Sequence, residues 1–169
     1  MKKTQSERLL FEQFTVYQFE YYIKLSGEYE VMKFITGKAL SLAESEERFA
    51  KMIETNRENP ELGFFSVRKI SDQSFIGLAK LINLKNNQLE IGYSLLPEFW
   101  GQGFASEIAD HFINYSFKFK HVKEIIGVID PANSVSKKLL ISRGFKLYDT
   151  NKPGESAAEY LKLNISANK

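Results

Sequence analysis

The chain has 169 residues, 43% hydrophobic and 26% charged, and its 23 Lys and Arg against 21 Asp and Glu leave a formal charge of +2. That composition excludes a disordered chain, argues against a dedicated nucleic-acid partner, and suits a single domain over residues 1–169. With no cysteine and only His111 and His121, a disulfide and a cysteine nucleophile are excluded, and no metal is expected.

Leu9 to Phe14 reads as an edge strand, after a polar N-terminus with no apolar leader. Tyr17 to Leu25 carries aromatics on a helical period, and Ser26 to Leu40 reads as loop and short helix. Ser41 stands three residues before Glu44, the spacing of a capping box. Phe49, Met52 and Ile53 then form a narrow stripe, so Leu42 to Arg57 reads as an amphipathic helix stopped at Asn59-Pro60.

The period then shortens to two. Leu62 to Ile70, Phe75 to Leu84 and Leu89 to Leu95 form an antiparallel meander, turned at 71–74 and at Asn86-Asn87. The third strand sends Leu89, Ile91, Tyr93 and Leu95 to one face and Glu90, Gly92 and Ser94 to the other. Ala105, Ile108, Ala109, Phe112, Ile113 and Ser116 mark the buried face of the next helix, with His111 on its polar side. His111 and His121 are both expected at the surface. Glu124 to Ile129 is a β-branched run suited to a buried strand. Val135, Leu139 and Leu140 lie on a helix ending at Gly144. Phe145 to Tyr148 and Ala158 to Leu163 close the chain as strands, joined by a loop at Asn151 to Ser156. The strand–helix–strand unit around 89–129 requires one parallel pair in a mixed sheet. No apolar run spans a bilayer, so a cytoplasmic protein with no membrane partner is expected.

The chemistry concentrates in Leu95-Leu96-Pro97-Glu98-Phe99-Trp100-Gly101-Gln102-Gly103-Phe104-Ala105-Ser106-Glu107. A strand ends, glycines follow and a helix begins. Glycine allows positive φ and close approach, and the helix start offers unpaired N–H groups, which together make a phosphate cradle. A tight turn without a ligand is the plain alternative. A nucleoside-triphosphate loop would end in Lys and Ser or Thr, where Phe104-Ala105 stands. A dinucleotide fingerprint would carry a third glycine, where Ser106 stands.

On these residues the chain resembles the GNAT superfamily of acyl-CoA-dependent N-acetyltransferases. More narrowly, it resembles the branch that acetylates the N-terminal amine of ribosomal proteins. The resemblance runs from about Glu7 to Leu163. It rests on Glu90-Ile91-Gly92-Tyr93, on Trp100 to Glu107, and on Asn133-Ser134-Val135-Ser136 ending in Gly144-Phe145. It implies an α/β (α+β) fold with a mixed, mostly antiparallel sheet of six or seven strands, splayed between its fourth and fifth. It implies acetyl-CoA as cosubstrate, held at the pyrophosphate by the N–H groups of Gly101, Gln102, Gly103, Phe104, Ala105 and Ser106. The freed backbone of Tyr93, Ser94 and Leu95 would meet pantetheine and the thioester carbonyl. Asn133 would contact the pantetheine arm, unless it only caps its helix. Ser136 would donate to the departing thiolate. Many relatives carry a Tyr as general acid where Leu140 stands here.

An amine attacks only when neutral. At pH 7 that costs about 1.4 kcal/mol for an α-amine of pKa ~8 and about 4.6 kcal/mol for a lysine of pKa ~10.4. A base working through one water is enough for the former. Glu90 is the candidate, and a strand-end ion pair is its other reading. Lys137, Lys138 and Arg143 are expected near the mouth of the CoA site. Tyr21, Tyr22, Tyr29 and Phe34, with Glu28 and Glu30, are expected to give an acidic, aromatic acceptor side. The expected activity is acetyl transfer to a protein N-terminus or small amine in a ternary complex, by a monomer or homodimer. A non-catalytic acyl-CoA-binding module is the alternative.

Overall fold

The computed structural model describes residues 3–150 and 158–165. Its strands are β1 (Lys3–Gln5), β2 (Leu9–Gln13), β3 (Gly63–Lys69), β4 (Phe75–Asn83), β5 (Gln88–Leu95), β6 (Glu124–Ile129), β7 (Lys146–Thr150) and β8 (Glu159–Asn164). Its helices are α1 (Phe19–Ser26), α2 (Tyr29–Met32), α3 (Leu42–Glu58), α4 (Phe104–Ser116) and α5 (Ser134–Ile141). The strands form one eight-stranded sheet in the order β1-β2-β3-β4-β5-β6-β8-β7. Only β5 and β6 run parallel; every other neighbouring pair is antiparallel.

The sheet exceeds the expected six or seven strands because β1 pairs Lys3 to Gln5 with Glu12 to Leu10 of β2. That segment is polar and carries no strand signal of its own. The order β6-β8-β7 leaves β7 at the open edge, where all five of its residues are exposed. The loop expected at Asn151 to Ser156 lies outside the described residues.

Local signals explain much of the rest. Asn86 and Asn87 take φ of 63° and 60°, so the hairpin uses the residues that best tolerate that region. The capping box forms: the Glu44 N–H donates to Ser41 Oγ at 3.3 Å, and the Ser41 N–H donates to Glu44 Oε2 at 2.8 Å. The Lys38 ammonium and the Ser41 groups hold the Glu44 carboxyl down at about 2.

Both faces of the sheet are covered. One core joins Phe11, Phe65, Leu81, Leu89 and Ile91 to α4 through Ile108 and Phe112, and to Leu140 of α5. The other joins Phe14, Phe75, Leu78 and Leu96 to α1, α2 and α3 through Tyr22, Leu25, Met32, Phe49 and Met52. His111 is not a plain surface residue. It stacks on Phe11 with ring centroids 4.6 Å apart, and its Nε2 lies 3.1 Å from Thr4 Oγ1. Burial therefore pushes its pKa down, with the Lys118 charge adding to that and Glu107 opposing it. His121 is exposed, as expected.

Asn56 of α3 ties the helix to the sheet. Its side chain accepts from the Phe64 N–H at 2.7 Å and donates to the carbonyls of Phe14 and Phe64, both at 3.0 Å. Gly63 is required beside it, because a Cβ there would lie 2.1 Å from Asn56 Oδ1. Asn56→Ala leaves the Phe14 carbonyl and the Phe64 N–H without those partners. It is expected to cost about 2–3 kcal/mol and to lower the melting temperature by several degrees. A loss below about 1 kcal/mol in denaturant unfolding would mean that water replaces the amide.

Candidate active site

The site begins where β5 and β6 part. Their parallel pairing runs from Gln88 and Glu124 to Ile91 and Gly127 and stops there, although β5 continues to Leu95 and β6 to Ile129. This is the splay expected between the fourth and fifth strands of the sequence reading. On the other side β5 stays paired with β4 throughout, and the Leu96 N–H donates to the Ile76 carbonyl at 3.0 Å. Antiparallel alternation then turns the backbone of Ser94 toward β4 and that of Tyr93 and Leu95 toward the gap. Ser94 lines the cavity as well, with its backbone turned toward β4. The Leu95 carbonyl is taken by the Trp100 indole N–H at 2.8 Å, which leaves the N–H groups of Tyr93 and Leu95 facing the gap.

The gap opens into a cavity of about 870 Å³. Tyr93, Ser94, Asn133, Ser136 and Leu140 line it together with Glu90, Lys80, Phe64 and Tyr22. Asn133 caps α5, its Oδ1 accepting from the Ser136 N–H at 3.1 Å, while also lining the cavity. Glu90 pairs with Lys80, so the ion pair anticipated for it is present, yet both groups still line the cavity. Gly92 makes this pairing possible, because a Cβ there would lie 2.6 Å from Lys80 Cε.

The glycine turn lies beyond that cavity, on open surface. Gly101 and Gly103 take φ of +72° and +80°, and nothing lies within 4 Å of a Cβ built on Gly101. No side chain caps α4, and among the described residues none of the N–H groups from Gly101 to Ser106 donates to another protein group. Uncapped donors and cleared space are what a diphosphate requires, so these residues fit the pyrophosphate of CoA.

Arg8 clamps this turn, a role the sequence does not signal. Its Nε donates to Glu107 Oε2 at 2.6 Å, its backbone N–H to Glu107 Oε1 at 2.7 Å, and its Nη1 to the Gln102 carbonyl at 3.1 Å. The guanidinium also sits 4.5 Å from the centre of the Phe104 ring. Burial alone would raise the Glu107 carboxyl, but the Ser6 hydroxyl and the Arg8 N–H groups more than offset it and hold it below the usual range. Arg8→Ala removes the counter-charge of the Glu107 carboxylate next to the cradle and leaves it the Ser6 hydroxyl and the backbone N–H of residue 8. CoA is expected to bind about tenfold more weakly, with a gentler salt dependence. Calorimetric titration at two ionic strengths checks this; unchanged affinity would detach Arg8 from the cradle.

The other basic candidates divide. Arg143 pairs with Asp110 at 2.7 Å and reaches the Ser106 carbonyl at 3.4 Å, so it borders the start of α4. Lys137 is engaged by Glu159 at 2.7 Å. The acidic acceptor side is not found among the described residues. Glu28 caps α2, Glu30 pairs with Lys33, and Tyr21 stacks on Phe75. Tyr22 and Phe34 do line the cavity, but with Lys33, Arg48, Lys51 and Lys80 against the carboxylates Glu90 and Asp130. Among the described residues no helix is long and apolar enough to cross a membrane, and no cluster of three His, Cys, Asp or Glu could hold a metal.

Comparison with known proteins follows the same lines. Over 62 residues, 37% of this chain, the sequence is 37% identical to an uncharacterized N-acetyltransferase, YoaA, of Bacillus subtilis (strain 168), and the match spans 35% of that protein. The fold matches that of the ribosomal-protein-S5-alanine acetyltransferase from Vibrio fischeri, with a TM-score of 0.78 at 17% identity over the full length of both chains. It also matches spermidine N-acetyltransferase from Vibrio cholerae in complex with CoA and spermine, with a TM-score of 0.76 at 17% identity, covering 95% of this chain and 98% of that one. The acetyltransferase (GNAT) domain family matches residues 8–146, so the splayed sheet and its glycine turn belong to a member of the GNAT acetyltransferase family.

Proposed function

We propose that this chain moves the acetyl group of acetyl-CoA to a primary amine by direct attack in a ternary complex. One observation carries the reading: the β5–β6 ladder stops at Ile91 and Gly127 beside a cavity that Glu90, Tyr93 and Ser136 share. Acetyl-CoA supplies an activated thioester. The N–H groups of Gly101 to Ser106 bind its pyrophosphate, and Asn133 orients the pantetheine arm. The N–H groups of Tyr93 and Leu95 face the gap, where they would stabilise charge developing on the thioester oxygen. Glu90 takes the amine proton through a water, with Lys80 holding the carboxylate in place. Ser136 donates to the departing sulfur.

The acceptor is either a protein N-terminus or a small amine, as in the V. fischeri and V. cholerae enzymes by their names. Lys33, Lys51 and Lys80 of the lining are paired with Glu30, Glu47 and Glu90, and it is Arg48, without a carboxylate partner among the described residues, that supports a singly charged α-amine over a polyamine, since like charges oppose docking. Incubation with acetyl-CoA and a panel of N-terminal peptides and polyamines, followed by free thiol, tests both points. Amine-dependent thiol release, larger for peptides, is expected. Saturable CoA binding with no release on any acceptor would instead make the chain an acyl-CoA-binding module. Leu140, buried where relatives place a tyrosine, is the feature that such a result would explain.

A further inference from the structure

Tyr93 presents a buried polar atom without a use. Its hydroxyl is shut off from solvent and makes no hydrogen bond within the described residues. Burial pushes its pKa up, and the Ser136 hydroxyl and the Arg143 charge are the groups that oppose that rise. Ser136 has its backbone N–H fixed by Asn133, while its own hydroxyl has no other partner among the described residues. Both residues line the cavity beside the splay.

We propose that Tyr93 is a positioning residue for thiolate departure, its phenol donating to Ser136 Oγ so that the Ser136 proton points at the sulfur. This rests on the acetyl-transfer reading above. A serine has one proton to donate. Once its oxygen accepts from Tyr93, that proton is directed into the cavity. Burial raises the Tyr93 pKa, with Ser136 and Arg143 opposing it, so the phenol stays protonated at neutral pH and remains a donor. The same fact excludes full proton transfer. A thiol is a stronger acid than an ordinary phenol, and burial weakens this phenol's acidity further, so a thiolate does not strip it. The step balances without that transfer. The amine nitrogen forms its bond to the acetyl carbon, and the C–S bond breaks with its electron pair on sulfur. The amine proton leaves through water toward Glu90, and the sulfur departs as a thiolate held by Ser136. Tyr93 thus fills from β5 part of the need that the leucine at 140 leaves on α5.

Tyr93→Phe removes one oxygen and keeps the ring. Because that oxygen is buried without a hydrogen-bond partner among the described residues, the variant is expected to melt at or above the wild-type temperature. The decisive readout needs no acceptor: ultraviolet titration of the thiol of bound CoA. It is expected to titrate about one pH unit higher in the variant, as the thiolate loses an oriented donor. With an acceptor, kcat is expected to fall about tenfold while KM for acetyl-CoA stays within about twofold. In a Ser136→Ala background, Tyr93→Phe is expected to change neither quantity further. An unchanged thiol titration would overturn the proposal. So would an equal effect with and without Ser136. Failure of every amine to react would overturn the activity reading and leave the titration to judge Tyr93 alone.

Discussion

Gly103→Val is expected to weaken CoA binding by at least ~100-fold. Two separate causes converge on that residue. Its φ of +80° lies in the left-handed region, which costs an ordinary residue ~1–2 kcal/mol and a β-branched one more. The valine methyls would also stand over the N–H groups of Gly103 to Ser106, where no other protein group among the described residues competes for the donors. Losing two hydrogen bonds to a charged diphosphate, at ~1.5 kcal/mol each, corresponds to about 100-fold in affinity. Binding by calorimetry and melting temperature must be read together. Gly103→Asn separates the two causes, since Asn tolerates positive φ without branching at Cβ. It is expected to keep most of the stability and to lose only part of the affinity. A folded Gly103→Val variant that binds CoA within threefold of wild type would remove the glycine turn from the site.

What the sequence made legible was local. The Asn86-Asn87 hairpin, the Ser41–Glu44 box and the glycine-to-helix turn each depend on a few adjacent residues, and each forms where expected. The splay was legible only through resemblance, because no periodicity distinguishes a paired Ile91 from an unpaired Tyr93. Long-range partners were not legible at all. Arg8 meets Glu107 across 99 residues. Lys80 reaches Glu90 only because the β4–β5 register sets it opposite Gly92, whose missing side chain lets the lysine lie across. The Trp100 indole folds back on the Leu95 carbonyl, a contact that places a stop at the end of the open strand. Charge is a poor guide to the acceptor side for the same reason. Glu28 and Glu30 are near the acceptor side in sequence, but their partners lie within α2 and its cap, and cations from α3 and β4 face the cavity instead.

Glu90→Gln distinguishes the two roles this carboxylate can hold, because they predict different pH dependences. A side chain that only pairs with Lys80 loses strength by a factor that hardly varies with pH, since glutamine keeps a hydrogen-bond acceptor of the same shape. A base acting through water matters most where the amine is charged. At pH 6 an α-amine of pKa ~8 is about 1% neutral, and a proton acceptor in the transition state contributes ~100-fold or more. At pH 9 most of the amine is already neutral and the base has little left to remove. The variant's deficit in kcat/KM is therefore expected to be about 100-fold at pH 6 and only a few-fold at pH 9. Lys80→Met is the companion test. It keeps the carboxylate but frees it from its tether, so it is expected to lower kcat several-fold without steepening the profile. A constant deficit for Glu90→Gln across that range would assign Glu90 to the ion pair alone. The amine proton would then leave directly to solvent, as the low cost of deprotonating an α-amine permits.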